Sequence, residues 1–110
     1  MKVSIIGQGY VGLTISAFAS RHYQVVGFDL NAHIVSELNK GISHIEGVDS
    51  KDIKDAIYEG KYTATTHAAD IAGSDIVVIA VPTPLDSSRK PDLSYIDSAC
   101  KVIGENLDAP

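Results

Sequence analysis

Three glycines near the start of the chain separate an apolar run from a helix-like stretch. Residues 3–12 read Val-Ser-Ile-Ile-Gly-Gln-Gly-Tyr-Val-Gly, and an acid, Asp29, follows seventeen residues after the last glycine. A strand, a G-x-G-x-x-G turn, a helix, a second strand and a final acid, in this order, are typical of a βαβ unit that binds a dinucleotide. The pattern therefore predicts an α/β fold.

Each glycine has its own physical reason. Gly7 permits the tight turn out of the first strand, Gly9 lacks the Cβ that would hold a pyrophosphate away from the backbone, and Gly12 lets the helix pack close to the strand. The N–H groups that begin the helix have no intrahelical partner, and the helix dipole favours negative charge there. We therefore expect the phosphates of a dinucleotide to lie against this turn.

Asp29 is expected to follow the second strand and to accept hydrogen bonds from the adenosine ribose hydroxyls. Its charge would repel a 2′-phosphate, so NAD is favoured over NADP. Two alternatives remain open at this point: a glycine turn in another α/β protein, and an S-adenosylmethionine site. The glycine loop of the latter usually lacks a third glycine placed to begin a helix.

Composition narrows the class of protein further. The formal charge is −5 and no basic cluster is present, which argues against a nucleic-acid or membrane-surface partner. A single cysteine, Cys100, excludes an internal disulfide and suits a reducing cytoplasm. The four histidines show no ligand spacing, so no metal site is expected. No apolar run is long enough to cross a membrane.

Strand-like and helix-like segments alternate along the chain. Val11, Ile15 and Phe18 fall at helical spacing after the glycines. The predicted strands are Lys2–Ile6, Tyr23–Phe28, Tyr62–Thr66 and Asp75–Val81. About five helices are predicted: one after Gly9, one over residues 32–40, one from Ser50 to Gly60, one of one or two turns at His67–Ala72, and one that starts at Asp92. Right-handed crossovers then predict a Rossmann-type, doubly wound parallel sheet of about four strands in the order 3-2-1-4.

The fourth predicted strand is the most apolar. Asp75–Val81 shows no alternation, as expected for a parallel strand covered on both faces. A complete fold of this kind has two further strands, so residues 1–110 are interpreted as one truncated domain. The fourth strand would then form a sheet edge, and exposed edges pair with other chains. We therefore expect the chain to self-associate.

The loop after this strand makes a family resemblance specific. The chain resembles the N-terminal NAD-binding domain of the UDP-glucose/GDP-mannose dehydrogenase family over nearly its whole length. The resemblance implies that residues 1–110 do not include the central and C-terminal domains of that family. The resemblance rests on Ile6–Leu13, Gly27–Asp29, Ala64–Thr66, Val81–Asp86 and Pro91–Ile96.

The resemblance implies an activity. The family oxidises the C6 alcohol of a nucleotide sugar to a carboxylate with two NAD⁺, through a cysteine thiolate. That cysteine lies beyond residue 110 in such enzymes, so no catalytic residue is expected here. Cys100 is instead predicted on the inward face of the last helix, as a small apolar residue. The segment His44–Val48 resembles members that act on UDP-N-acetylhexosamines.

The resemblance also implies a set of cofactor-binding residues. Tyr10 either packs over the cofactor or covers the start of the helix. Thr83 either donates its hydroxyl hydrogen toward the cofactor or stabilises its own turn. The expected NAD-binding residues are Gly7, Gln8, Gly9, Tyr10, Val11, Gly12, Asp29, Val81, Pro82, Thr83 and Pro84.

The function expected is therefore the NAD-binding part of a UDP-sugar 6-dehydrogenase that supplies polysaccharide precursors in the cytoplasm. We expect the isolated chain to be inactive and the native enzyme to be a homo-oligomer. The alternative is a standalone dinucleotide-sensing domain, similar to the regulatory domains of potassium transport systems. A hydroxy-acid dehydrogenase is disfavoured by the Val-Pro-Thr-Pro loop at residues 81–84.

Overall fold

The computed structural model describes residues 1–82, 85 and 87–106. These residues form four strands, four α-helices and a short 3-10 helix at Ala68–Ile71. The strands are β1 (Lys2–Ile6), β2 (Gln24–Phe28), β3 (Tyr62–Thr65) and β4 (Ile76–Ile79). The helices are α1 (Tyr10–Ala19), α2 (Ala32–Asn39), α3 (Ser50–Tyr58) and α4 (Ser94–Asn106).

All strand pairs in the described sheet are parallel. The order is β3-β2-β1-β4, which confirms the predicted order of strands. In register, Ile5 lies opposite Gly27, and Ile6 lies opposite both Phe28 and Ile79. The carboxyl ends of β1, β2 and β4 consequently meet at one edge, where α/β folds of this type place their ligands.

Two apolar clusters cover the two faces of the sheet, because successive side chains of a strand point to opposite sides. Val3 and Ile5 of β1 pack with residues of α1, α2 and α3 in one cluster. Ile6 packs with Phe28, with Ile71 of the 3-10 helix and with residues of α4 in the other. The fold therefore has helices on both faces, as the alternating pattern predicted.

The buried face of α1 differs from the apolar stripe in its sequence. Val11 and Phe18 are 58% and 63% exposed, whereas Gly12, Leu13 and Ser16 are buried. At Gly12 the helix lies so close to the glycine turn that no side chain fits, and the residues buried beside it are Leu13 and Ser16. Proximity to the backbone, rather than hydrophobic periodicity, selects the inward face here.

Two further expectations are wrong in the structure. β4 is not covered on both faces: Ile76 and Ile79 are 45% and 40% exposed, because β4 is the outermost strand of the described sheet. Cys100 is exposed rather than inward-facing, since the inward side of α4 centres on Ala99 and Val102, and Cys100 lies about 100° and about 160° around the helix from these two residues.

Candidate dinucleotide site

A cleft of about 860 Å³ opens at the carboxyl ends of β1, β2 and β4. Its walls are the glycine turn, the residues after β2, the residues after β4 and one side of α4. Of the eleven residues predicted to bind the cofactor, those that line the cleft are Gly7, Gly9, Tyr10, Val11, Asp29, Val81 and Pro82. Thr83 and Pro84 lie outside the described residues.

Gly7 and Gly12 are required by close approach of the backbone. Gly7 has φ +97°, and a Cβ there would lie 2.8 Å from the carbonyl oxygen of Ala80. A Cβ on Gly12 would overlap the carbonyl oxygen of Gly7 and lie 2.7 Å from its carbonyl carbon. These two glycines therefore shape the turn and bring α1 against β1.

Gly9 serves a different purpose, because the space beside it is open. A Cβ at this position would have no neighbour within 4 Å. Gly9 is the N-cap of α1 in an extended conformation (φ −79°, ψ −154°), and no side chain caps this end of the helix. The first N–H groups of α1 therefore remain available to an anion at the mouth of the cleft.

The carboxylate of Asp29 lies directly beside this turn. One of its oxygens, Oδ2, accepts the backbone N–H of Gln8 at 2.8 Å, and Oδ1 accepts the backbone N–H of Asn31 at 2.9 Å. The N–H of Asp29 donates to the carbonyl oxygen of Thr65 at 3.0 Å. Each carboxylate oxygen keeps a lone pair for a further donor, such as a ribose hydroxyl.

Gln8 and Gly12 belong to the turn but do not line the cleft. The side chain of Gln8 points away from the cleft and is fully buried between the sheet and α1. Its amide contacts Ser16 and the hydroxyl of Tyr62. Burial raises the pKa of Tyr62, and the charge of Asp29 raises it further, so this hydroxyl stays a hydrogen-bond donor.

One wall of the cleft was missed in the sequence. It is formed by α4 through Ser94, Tyr95, Ser98, Ala99 and Val102. In the sequence, Pro91–Ile96 contributes to the family resemblance, but periodicity alone does not reveal which side of a helix faces a cleft.

Asp92 orders the start of α4. Its Oδ1 accepts the hydroxyl of Ser94 at 2.6 Å and the backbone N–H of the same residue at 3.0 Å. Both hydrogen bonds lower the pKa of Asp92 below its ordinary value. The charged carboxylate therefore stabilises the end of the helix that borders the cleft.

Among the described residues that line the cleft, Asp29 carries the only charged side chain. No Lys, Arg, His or Cys is among the described residues that line it. The hydroxyl of Ser94 donates to the carboxylate of Asp92, and no Lys, Arg or His of the described lining is placed beside Ser94 or Ser98. With no cation present among these residues, a diphosphate would be held by backbone N–H groups and the helix dipole.

No helix in the described ranges is both long and apolar enough to cross a membrane. Across the same ranges, no group of three or more His, Cys, Asp and Glu side chains is placed to hold a metal ion.

Comparison with known proteins identifies the family. Residues 1–110 match the NAD-binding domain of the UDP-glucose/GDP-mannose dehydrogenase family. The chain is 42% identical over 107 residues to UDP-N-acetyl-D-mannosamine dehydrogenase of Escherichia coli, covering 96% of this chain and 25% of that enzyme. The chain thus spans about a quarter of the length of such relatives.

Solved structures show the same similarity. A UDP-D-ManNAc dehydrogenase from Pyrococcus horikoshii aligns with a TM-score of 0.90 at 36% identity, covering 98% of this chain and 26% of the other. A ternary complex of GDP-mannose dehydrogenase from Pseudomonas aeruginosa aligns with a TM-score of 0.90 at 32% identity, covering 94% and 24% respectively. The chain therefore belongs to the UDP-glucose/GDP-mannose dehydrogenase family, as its NAD-binding domain.

Proposed function

We propose that this chain holds NAD in the cleft between Gly9 and Asp29 and acts as the NAD-binding domain of a UDP-sugar 6-dehydrogenase. The diphosphate lies over Gly9 at the start of α1, and the adenosine ribose hydroxyls bind Asp29. Tyr10, Val11, Val81 and Pro82 contact the rest of the cofactor. The observation that carries this proposal is a carboxylate hydrogen-bonded to the very turn whose central glycine faces open space.

The sugar substrate proposed is a UDP-N-acetylhexosamine, with UDP-glucose as the alternative. The support is the resemblance of His44–Val48 and the naming of similar enzymes as UDP-N-acetyl-D-mannosamine dehydrogenases. We further propose that the 110 residues bind NAD without oxidising a sugar, since the described cleft holds no activated nucleophile. Cytoplasmic supply of polysaccharide precursors belongs to the same proposal and follows from the family.

Calorimetric titration of the chain with NAD⁺ and NADP⁺ tests the cofactor. We expect NAD⁺ to bind at least about tenfold more tightly, because the charge of Asp29 opposes a 2′-phosphate. Asp29→Asn keeps an acceptor for one backbone N–H while removing the charge, and it should weaken NAD⁺ and reduce the preference. The same preparation should release no NADH with UDP-N-acetylmannosamine or UDP-glucose.

Asp55→Asn is the matched control, since Asp55 is exposed on α3 and its substitution changes the net charge equally. Its affinities should equal those of the wild type. Equal binding of NAD⁺ and NADP⁺ by the wild-type chain would contradict the proposed role of Asp29. Turnover of a UDP-sugar by the pure chain would contradict the proposed inactivity.

We also infer a homo-oligomer in which two copies pair along β4. Within the described sheet, β4 has a neighbour on one side only, and its isoleucines are exposed. The opposite edge is covered at Ala64 of β3, where the side-chain amide of Asn39 donates to the carbonyl oxygen at 2.8 Å and accepts the N–H at 3.0 Å. The edge at β4 is therefore the one at which we expect another chain to pair.

Light scattering across a concentration series checks this association. The wild-type chain should show a mass that rises with concentration, and Ile76→Lys should lower that mass because charged edge strands resist pairing. Tyr58→Lys, at a position 92% exposed on α3, is the control and should behave like the wild type. A wild-type chain that stays monomeric throughout would refute pairing along β4.

A further inference from the structure

The side-chain amide of Gln8 has all of its hydrogen-bonding groups satisfied inside the protein. Its Nε2 donates to the carbonyl oxygens of Ile5 at 3.2 Å and of Gly7 at 2.9 Å. Its Oε1 accepts the hydroxyl of Tyr62 at 2.6 Å and that of Ser16 at 3.1 Å. Two donors and two acceptor sites are the full capacity of a primary amide.

The orientation of this amide follows from its partners. Backbone carbonyl oxygens only accept hydrogen bonds, so the NH₂ group must face Ile5 and Gly7. Gln8, Ser16 and Tyr62 are 0%, 0% and 1% exposed, so water does not compete for these contacts. A satisfied network in such surroundings rigidifies the elements that it joins, here β1, α1 and β3.

The neighbouring strand provides space for the amide. A Cβ on Gly27 of β2 would collide with Oε1 of Gln8 and would lie 2.8 Å from the hydroxyl of Tyr62. The phenol of Tyr62 reaches Gln8 across this gap, although the two residues are 54 positions apart. Gly27 therefore allows β3 to contact the glycine turn directly.

The peptide group between Gly7 and Gln8 is held at both ends. Its N–H donates to Asp29, and its carbonyl oxygen accepts the side chain of Gln8 itself. Glycine adopts positive and negative φ with similar ease, so the conformation of Gly7 at φ +97° gives this peptide little intrinsic preference. The orientation of this peptide group is therefore fixed by the hydrogen bonds at its two ends.

We propose that Gln8 is a positioning residue for the cofactor: its buried amide, braced by Tyr62, keeps the Gly7 carbonyl turned away from the diphosphate. The inference rests on the NAD site proposed above and deepens it. Without the amide, the carbonyl oxygen is free to turn toward the cleft, where its partial negative charge opposes phosphate. Asp29 would lose the N–H of Gln8 but keep that of Asn31, so its contact with the ribose changes less than the diphosphate site.

Gln8→Leu tests the proposal, because leucine has a similar size and no polar atom. We expect the affinity for NAD⁺ and for ADP, measured by calorimetry, to fall about tenfold, the effect of one or two hydrogen bonds. Adenosine, which has no diphosphate, should bind within about twofold of wild type in an NMR titration. A merely structural role would weaken all three ligands together.

The double variant Gln8→Leu/Tyr62→Phe separates positioning from stability. Gln8→Leu leaves the phenol of Tyr62 buried without its acceptor and should lower the melting temperature. Ser16 keeps a partner, since its hydroxyl also donates to the carbonyl oxygen of Gly12 at 2.9 Å. Removing the phenol should restore much of the melting temperature while the affinity for NAD⁺ stays low.

The melting temperatures and the ligand affinities of the variants together decide whether Gln8 positions the cofactor. Recovery of melting temperature without recovery of NAD⁺ and ADP binding supports positioning by Gln8. Wild-type affinity for NAD⁺ in the double variant, or parallel loss of adenosine binding, overturns it. A wild-type chain that binds no NAD⁺ contradicts the proposed function and this inference together, whereas a binding wild type with equally binding variants contradicts the inference alone.

Discussion

Gly12→Ala is expected to unfold the chain or to lower its free energy of unfolding by more than about 3 kcal/mol. The added methyl group would overlap the carbonyl oxygen of Gly7 and lie 2.7 Å from the carbonyl carbon. Backbone atoms in a turn cannot rotate aside as a flexible side chain can. α1 would have to separate from β1, exposing the core around Leu13. Urea unfolding followed by circular dichroism measures the effect.

Gly104→Ala is the matched control, since Gly104 also lies within a helix, α4, and a Cβ there meets nothing within 4 Å. This variant should gain about 0.5–1 kcal/mol from the better helix propensity of alanine. Opposite signs for the same chemical change would show that close packing, rather than helix propensity, requires Gly12. A Gly12→Ala chain with wild-type stability would disprove the described contact between helix and turn.

Gly9→Val, unlike Gly12→Ala, should leave the fold intact and abolish binding of the cofactor. The position is extended and has open space beside it, so the free energy of unfolding should change by about 1 kcal/mol or less. The side chain would occupy the place proposed for the diphosphate. We expect calorimetry to show a loss of NAD⁺ affinity of about a hundredfold or more, equivalent to about 3 kcal/mol.

Gly9→Ser separates the stability of the helix from the affinity for the cofactor. Serine is a favourable N-cap and should hold or raise the melting temperature by capping the uncapped start of α1. Its side chain nevertheless competes with phosphate for the same N–H groups, so NAD⁺ should bind more weakly than to wild type. Undiminished NAD⁺ binding by both variants would place the diphosphate elsewhere and contradict the proposed site.

The strand order and the placement of Asp29 beside the glycine turn could be predicted because they depend on short-range patterns. Apolar runs, glycines and caps recur at spacings that the backbone imposes. Asn31, for example, caps α2 by accepting the N–H groups of His33 and Ile34. Right-handed crossovers then restrict the topology to the observed order.

The buried sides of α1 and α4 could not be predicted, because they depend on which neighbour each helix meets. Phe18 is exposed although it is large and apolar, whereas Ser16 is buried because it contacts Gln8. Cys100 is exposed because Ala99 faces the sheet. The α4 wall of the cleft, with Tyr95 and Ser98, has the same origin.

The glycine spacing, the apolar runs and the final acid sufficed by themselves to determine the fold class and the approach of Asp29 to the glycine turn. Each of these depends on backbone geometry within one βαβ unit, which local sequence controls. Only the tertiary structure decided that Gln8 turns inward and that Tyr62 and Gly27 meet it there. Those contacts depend on the register of β2 and β3, which brings together residues far apart in the chain.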